Sequence, residues 1–212
     1  VSVAGIYTAE SIFGRIISGE DVEQWCLDLL KKWSGTYLAE VERQHGIEPG
    51  LIPRVRAWVT SPSFDKWPED QIPAVVLQSV GTGEAPLRDG DGRHRARWVM
   101  QCDSIVSART QAESHTLSML YAAAHRAVLL QRPSLEGHAA GLRWLGDDYT
   151  QLPYDDIRSL AAAQFTFEVE VDDVVTSVAG PTTPGDPQDP ETDPWAPWPE
   201  ADTVVVAVQK EE

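Results

Sequence analysis

The sequence predicts an α+β domain, in which an antiparallel or mixed sheet of about four to five strands carries two main helices on one side. Three observations lead there. Two apolar periodic stretches each open on a capping box, alternating runs of strand character lie between and after them, and the pattern stops abruptly near residue 175. The chain accordingly divides into an N-terminal arm (1–17), the α+β domain (18–175) and an extended, proline-rich acidic tail (176–212) that ends in a β-prone segment.

The arm mixes small and apolar residues without a firm period. It fits either a helical turn or a strap packed on a neighbour. The first helix starts at Ser18, because Ser18 and Asp21 stand at capping-box spacing, each able to take the other's orphan backbone N–H. Val22, Trp25, Cys26, Leu29, Leu30, Trp33, Tyr37 and Val41 then give a helical stripe too apolar to face water. Gly46 supplies a stop. After the turn Glu48-Pro49-Gly50 come strand candidates at residues 54–60 and 74–80, and then a loop over residues 81–92. Gly81 and Gly83 do not make a dinucleotide loop, since no third glycine follows and Pro86 blocks the helix that such a loop requires. Asp89-Gly90-Asp91-Gly92 lacks the remaining ligands of a calcium loop and reads as a hairpin turn.

Residues 95–102 alternate as a half-buried strand. Thr110 and Glu113 open the second helix with a capping box. Its expected inner face is Ala112, Thr116, Met119, Leu120, Ala123, Ala127 and Leu130, and it stops before Pro133. Strand candidates follow at residues 140–145 and 165–171, the latter a strict alternation.

Composition bounds the chemistry. Of the net charge of −16, the stretch 172–212 holds −9 and the rest of the chain −7. Acidity of this degree argues against gripping nucleic acid by its phosphates, while leaving room for a surface past which DNA slides. Cys26 and Cys102 sit inside predicted elements and are expected as reduced core thiols, so the expected compartment is reducing and the product soluble and intracellular. The five histidines show no metal spacing, and no zinc, nucleophile-elbow or paired-cysteine motif is present in the sequence. Ser104, Ser107 and His115 do not assemble into a triad from sequence. Asp147-Asp148 and Asp155-Asp156 flank Pro153 and are the remaining pairs that could hold a metal or divide acid and base roles; turn-forming aspartates are the commoner account. The expectation is therefore no enzyme, no catalytic residue, no cofactor and no metal.

Contact surfaces are the better candidates. Arg88, Arg93, Arg95 and Arg97 make the hairpin the one basic feature of an acidic chain, suited to an acidic or polar partner; a solvated hairpin tip is the bland alternative. In the tail, seven prolines between residues 180 and 199 signal an extended spacer. Trp195, Trp198, Val204 and Val206 are out of place in a merely solvated segment. Addition of that segment as a strand to a neighbouring sheet edge, or its return to its own domain, would each explain them.

Over residues 18–171 the order of elements resembles the tail terminator proteins of long, non-contractile-tailed (siphovirus-type) actinobacteriophages. Ile52-Pro53-Arg54-Val55, Arg97-Trp98-Val99-Met100-Gln101-Cys102, Thr110-Gln111-Ala112-Glu113-Ser114 with its alanine-rich helix, and the 165–171 strand carry the resemblance. It implies a virion structural protein, located at the head–tail junction and in the host cytoplasm during assembly. A homo-oligomer, a hexameric ring, would cap the tail tube, end its polymerisation and provide the surface for head–tail joining. The implied partners are the tail tube protein and a head–tail connector or stopper protein, with DNA passing through the lumen unread and no membrane involved. Another connector, completion or minor tail protein is the neighbouring alternative; a cytoplasmic enzyme or ligand-binding domain is the alternative from a different class.

Overall fold

A computed structural model describes residues 17–60, 69–88, 93–149 and 159–176. Helix α1 runs Gly19–His45. The Ser18 hydroxyl accepts the Asp21 amide at 3.3 Å while the Asp21 carboxylate accepts the Ser18 amide at 2.7 Å, so both halves of the expected box form. At the other end Gly46 takes φ +66°, and the Ile47 amide donates back to the Glu42 carbonyl at 2.9 Å. That left-handed position favours a residue without a Cβ.

Strand β1 is Ala57–Val59 and β2 is Ala74–Thr82. The two-residue β3, Leu87–Arg88, precedes β4, Arg93–Ala108. Helix α2, Gln111–Leu130, opens on the expected box, with the Glu113 amide donating to Thr110 Oγ1 at 3.2 Å. Strands β5 (Gly141–Asp148) and β6 (Ser159–Thr176) complete the described residues. The sheet order is β1-β2-β4-β6-β5 with β3 on β4; β1 lies parallel to β2 and every other pair is antiparallel. The mixed sheet and its two helices are the α+β architecture that the sequence predicts.

Alternation along the strands turns Val75, Leu77, Trp98, Met100, Cys102, Phe165, Phe167 and Val169 to one face. There they meet Val22, Cys26, Leu29 and Leu30 of α1 and Val128 and Leu129 of α2 in the main core, beside a smaller cluster of Leu38, Ile52, Val106, Tyr121 and Ala124. Cys26 and Cys102 are free and buried within it.

Several boundaries and faces differ from the sequence reading. The buried face of α2 is Ser114, Ser118, Tyr121, Ala122, Ala124, His125, Val128 and Leu129. The face expected inside turns outward, with Ala112 and Thr116 exposed. The reason is hydrogen bonding: Ser114 donates to the Ser159 carbonyl at 2.7 Å and accepts the Ala108 amide at 2.8 Å, so a polar residue is satisfied where helix meets strand. The later half of α1 is turned likewise, burying Ser34, Leu38 and Glu42 while Trp33, Tyr37 and Val41 stay half-buried. Glu42 is 1% exposed because its carboxylate accepts the Ile52 amide at 2.8 Å, tying the chain after α1 to its last turn. Bonds from the Gly50 and Ile52 amides hold its pKa below the usual carboxylate value.

Strands β4 and β6 extend well past residues 95–102 and 165–171, because serine- and alanine-rich ends with little strand signal are drawn into the pairing. Conversely, only Ala57–Val59 of the 54–60 candidate forms a strand. Residues 1–16, the hairpin turn 89–92 and the tail from 177 onward lie outside the described residues. Ile17, the last residue of the proposed arm, donates its amide to the Val174 carbonyl at 3.0 Å.

Candidate functional site

With both helices on one face, the opposite face of the sheet carries a ladder of ion pairs. Register decides its membership: Arg97 stands directly across from Glu170, and Arg143 across from Glu168. Arg97 Nε meets Glu170 at 2.8 Å and its Nη1 reaches Glu84 at 3.1 Å. Arg95, at a register shift in β4, contacts Glu170 at 3.1 Å and Asp172 at 2.6 Å. Arg143 closes on Glu168 at 2.7 Å. Glu168 is 8% exposed, and a Cβ at Gly83 would come within 2.7 Å of its Oε1, so a larger residue there would push the carboxylate aside. Gly81, at φ +141°, marks the irregularity in β2. Both glycines serve the sheet, in keeping with the rejection of a dinucleotide loop.

This ladder redefines the basic hairpin. Arg95 and Arg97 are neutralised by acidic residues of β6 and by Glu84. Arg88 is exposed at the end of β3, and the backbone of Arg93 begins β4. Among the described residues, this part of the face is thus polar and close to electrically balanced instead of cationic, while toward β1 the same face buries an apolar cluster of Ala74, Val76 and Ile105. Trp195, Trp198, Val204 and Val206 lie outside the described residues.

The second polar constellation is internal. His125 is fully buried, with Ser34 Oγ 3.0 Å from Nε2 and Ser104 Oγ 3.0 Å from Nδ1. Burial lowers its pKa to about 3, so the ring is neutral, with one nitrogen donating and the other accepting. Ser107 and His115 are the triad candidates nearest Ser104 in sequence, but the imidazole that Ser104 meets is His125, which no local spacing signals. A nucleophile needs access for its substrate, and Ser34, Ser104 and His125 are each at most 2% exposed. Chemically, the arrangement is a hydrogen-bonded pin joining α1, α2 and β4.

Asp147 and Asp148 end β5, not a loop. The Asp147 carboxylate accepts Trp144 Nε1 at 2.9 Å and the Tyr149 hydroxyl at 2.8 Å, and it pairs with Arg126 of α2. The Arg126 guanidinium lies 4.5 Å from the centre of the Trp144 ring. Three donors leave this carboxylate little capacity for a metal, and its role is to clamp α2 to β5. Asp155 and Asp156 lie outside the described residues. Replacing Asp147 by alanine leaves Arg126 without its acceptor in a site where the aspartate side chain is 10% exposed. The expected loss is about 1–3 kcal/mol of unfolding free energy, read by urea denaturation; an unchanged midpoint would refute the clamp.

No family model matches the chain, and no curated protein matches it. Among solved structures, a chain of the virion of a native gene transfer agent particle is similar over 62% of this chain and 91% of its own length, with 14% identity and a TM-score of 0.39.

Two apolar surfaces stand out among the described residues. One is a groove between the outer side of α2 and the chain after α1, lined by Ile47, Leu51, Ala112, Leu117 and Leu120. The other is the outer edge of β5, where Trp144 and Leu145 are 46% and 45% exposed. Among the described residues, no group of three or more His, Cys, Asp or Glu side chains is placed to hold a metal ion, and no helix is long and apolar enough to cross a membrane.

Proposed function

We propose that this chain is a structural virion protein, a tail terminator that caps the tube of a long, non-contractile phage tail, ends its polymerisation and offers the surface to which the head is joined. The observation that carries the proposal is the one-sided sheet. Among the described residues, both helices cover one face, leaving a ladder of ion pairs on the other, an edge of β5 that no described strand pairs and an apolar groove for contact, while the buried Ser-His-Ser pin and the saturated Asp147 supply no accessible chemistry. Surfaces of this kind serve assembly, and the resemblance in element order over residues 18–171 gives the assembly its identity. In this reading the protein has no catalytic role. Copies join through sheet edges and apolar contacts, and a heterologous interface repeats until it closes, at six copies in the family resembled. Tube protein meets one side of the ring and connector protein the other, while DNA crosses a lumen that an acidic chain does not make adhesive.

Electron microscopy of lysates from a phage lacking the gene tests the proposal. The expected result is tails of uncontrolled, overlong length. Tails of normal length lying beside DNA-filled heads would instead assign the chain to the joining step alone, as a connector or completion protein.

A further inference from the structure

We propose that residues 203–209 of one copy add as a strand to the free edge of β5 in a neighbouring copy. The proposal rests on the self-assembly part of the function proposed above, and supplies the contact between copies.

The receiving edge is specified by the fold. In the order β1-β2-β4-β6-β5 the sheet ends at β1 and β5, and no described strand pairs with the outer edge of either. β1 is 3 residues long, too short to hold more than a token ladder. β5 has 8 residues, a span of roughly 26 Å, close to that of a seven-residue strand. A long, unprotected edge next to apolar side chains is a template for another strand. Here the register shift between Trp144 and Gly146 breaks the usual alternation, so the adjacent Trp144 and Leu145 both stay exposed.

The donor is specified by the sequence. Thr203-Val204-Val205-Val206-Ala207-Val208-Gln209 is a β-branched run with no charged residue and no proline, features that favour pairing. Main-chain bonds would supply affinity, and alternate valines would pack beside Trp144 and Leu145.

Length selects a second copy over the same one. β6 leads out of the sheet next to the start of β5, since Gly141 pairs with Glu170 and β6 ends at Thr176. A register shift takes up part of that stretch, so Thr176 stands opposite Arg93, four positions along β4 from Arg97, and the root of the tail lies about 13 Å past the start of β5. Residues 177–202 make a much longer spacer. Pro181, Pro184, Pro187 and Pro190 recur at three-residue steps, the repeat of a polyproline II helix. A spacer of that composition reaches up to about 80 Å. A connection much longer than its gap lowers the effective concentration of the segment at its own edge and lets it reach a site one subunit away.

Disulfide trapping on the full-length chain tests the proposal. Leu145→Cys and Val206→Cys are made in separate chains, mixed, and oxidised; native Cys26 and Cys102 are buried and stay out of reach. The expected product is a two-chain species whose disulfide maps to positions 145 and 206, and which is lost when Val204→Asp is added to the donor. A single-chain link in the Leu145→Cys/Val206→Cys double variant, with none between mixed chains, would show that the segment returns to its own domain and overturn the proposal. Absence of both links in a sample that light scattering shows to be oligomeric would remove strand addition while leaving the ring reading intact. A monomer at every concentration would remove self-assembly itself.

Discussion

Acidification from pH 7.5 to pH 5 will cost the fold about 2 kcal/mol through His125 alone. The ring titrates near 6.5 when solvated, and burial between two serines lowers that to about 3. As pH falls below 6.5 the unfolded chain takes up a proton that the folded chain refuses, so protonation pulls the equilibrium toward unfolding. The contribution is fully present above the unfolded value and is lost progressively from pH 6.5 toward pH 3. The carboxylates with lowered pKa values, Glu40, Glu42 and Glu136, act below their ordinary 4.5, so they leave the upper part of this window to His125. Glu23, whose pKa is raised chiefly by burial, works in the opposite sense. Urea unfolding at the two pH values, in the native chain and in His125→Gln, isolates the histidine. The variant is expected to be less stable at pH 7.5, because Ser34 and Ser104 lose a partner fitted between them, and to lose markedly less on acidification. Parallel pH profiles for the two proteins would rule the mechanism out.

The largest single loss is expected for Phe167→Ala, about 3–5 kcal/mol by denaturant unfolding. Phe167 is fully buried in the core beneath the helices, and its ring stacks on Phe165 at 5.3 Å between centroids. Its backbone is paired on both sides, with Met100 of β4 and Trp144 of β5, so the strands have little freedom to collapse into the space left behind. A domain stable by about 5–15 kcal/mol does not tolerate much more. Leu51, 61% exposed on the rim of the groove, makes a useful control, because its truncation removes little buried surface. A Phe167→Ala loss no larger than that of Leu51→Ala would mean the core is not packed as described.

Much of this architecture is written locally in the chain. Ser18 with Asp21, Thr110 with Glu113, and Gly46 mark helix ends through bonds made within a few residues, so they are readable without the fold. The inner faces of the helices are legible only in part. Val22, Cys26, Leu29 and Leu30 of α1 are buried as their spacing predicts, but the buried side of its later half and of α2 includes Ser34, Glu42, Ser114, Ser118 and His125. Ser118 is satisfied by the His115 carbonyl of its own helix, whereas Ser34, Glu42, Ser114 and His125 become acceptable inside only when the two helices, β4, β6 and the chain after α1 meet. Strand ends behave alike: Ser159 and the alanines after it have weak strand character until β4 is beside them. The ion-pair ladder was half legible. Its arginines stand out in an acidic chain, yet the partners of Arg95 and Arg97 lie on a strand more than 70 residues later, and only register brings them together. Asp147 attracted notice as an acid beside an acid; its actual company of Trp144, Tyr149 and Arg126 was the part that spacing does not reveal.

The pairing of β4 with β6 has a mechanical meaning. The two strands are in register from Arg93 opposite Thr176 to Ala108 opposite Ser159, with one interruption, over a length of roughly 50 Å. A pull along that axis loads the rungs in shear, so they share the force and must yield together, whereas a pull across the sheet would peel them one after another. The long strands therefore tie the two ends of the domain together along that axis, and a load along it is carried by many rungs at once.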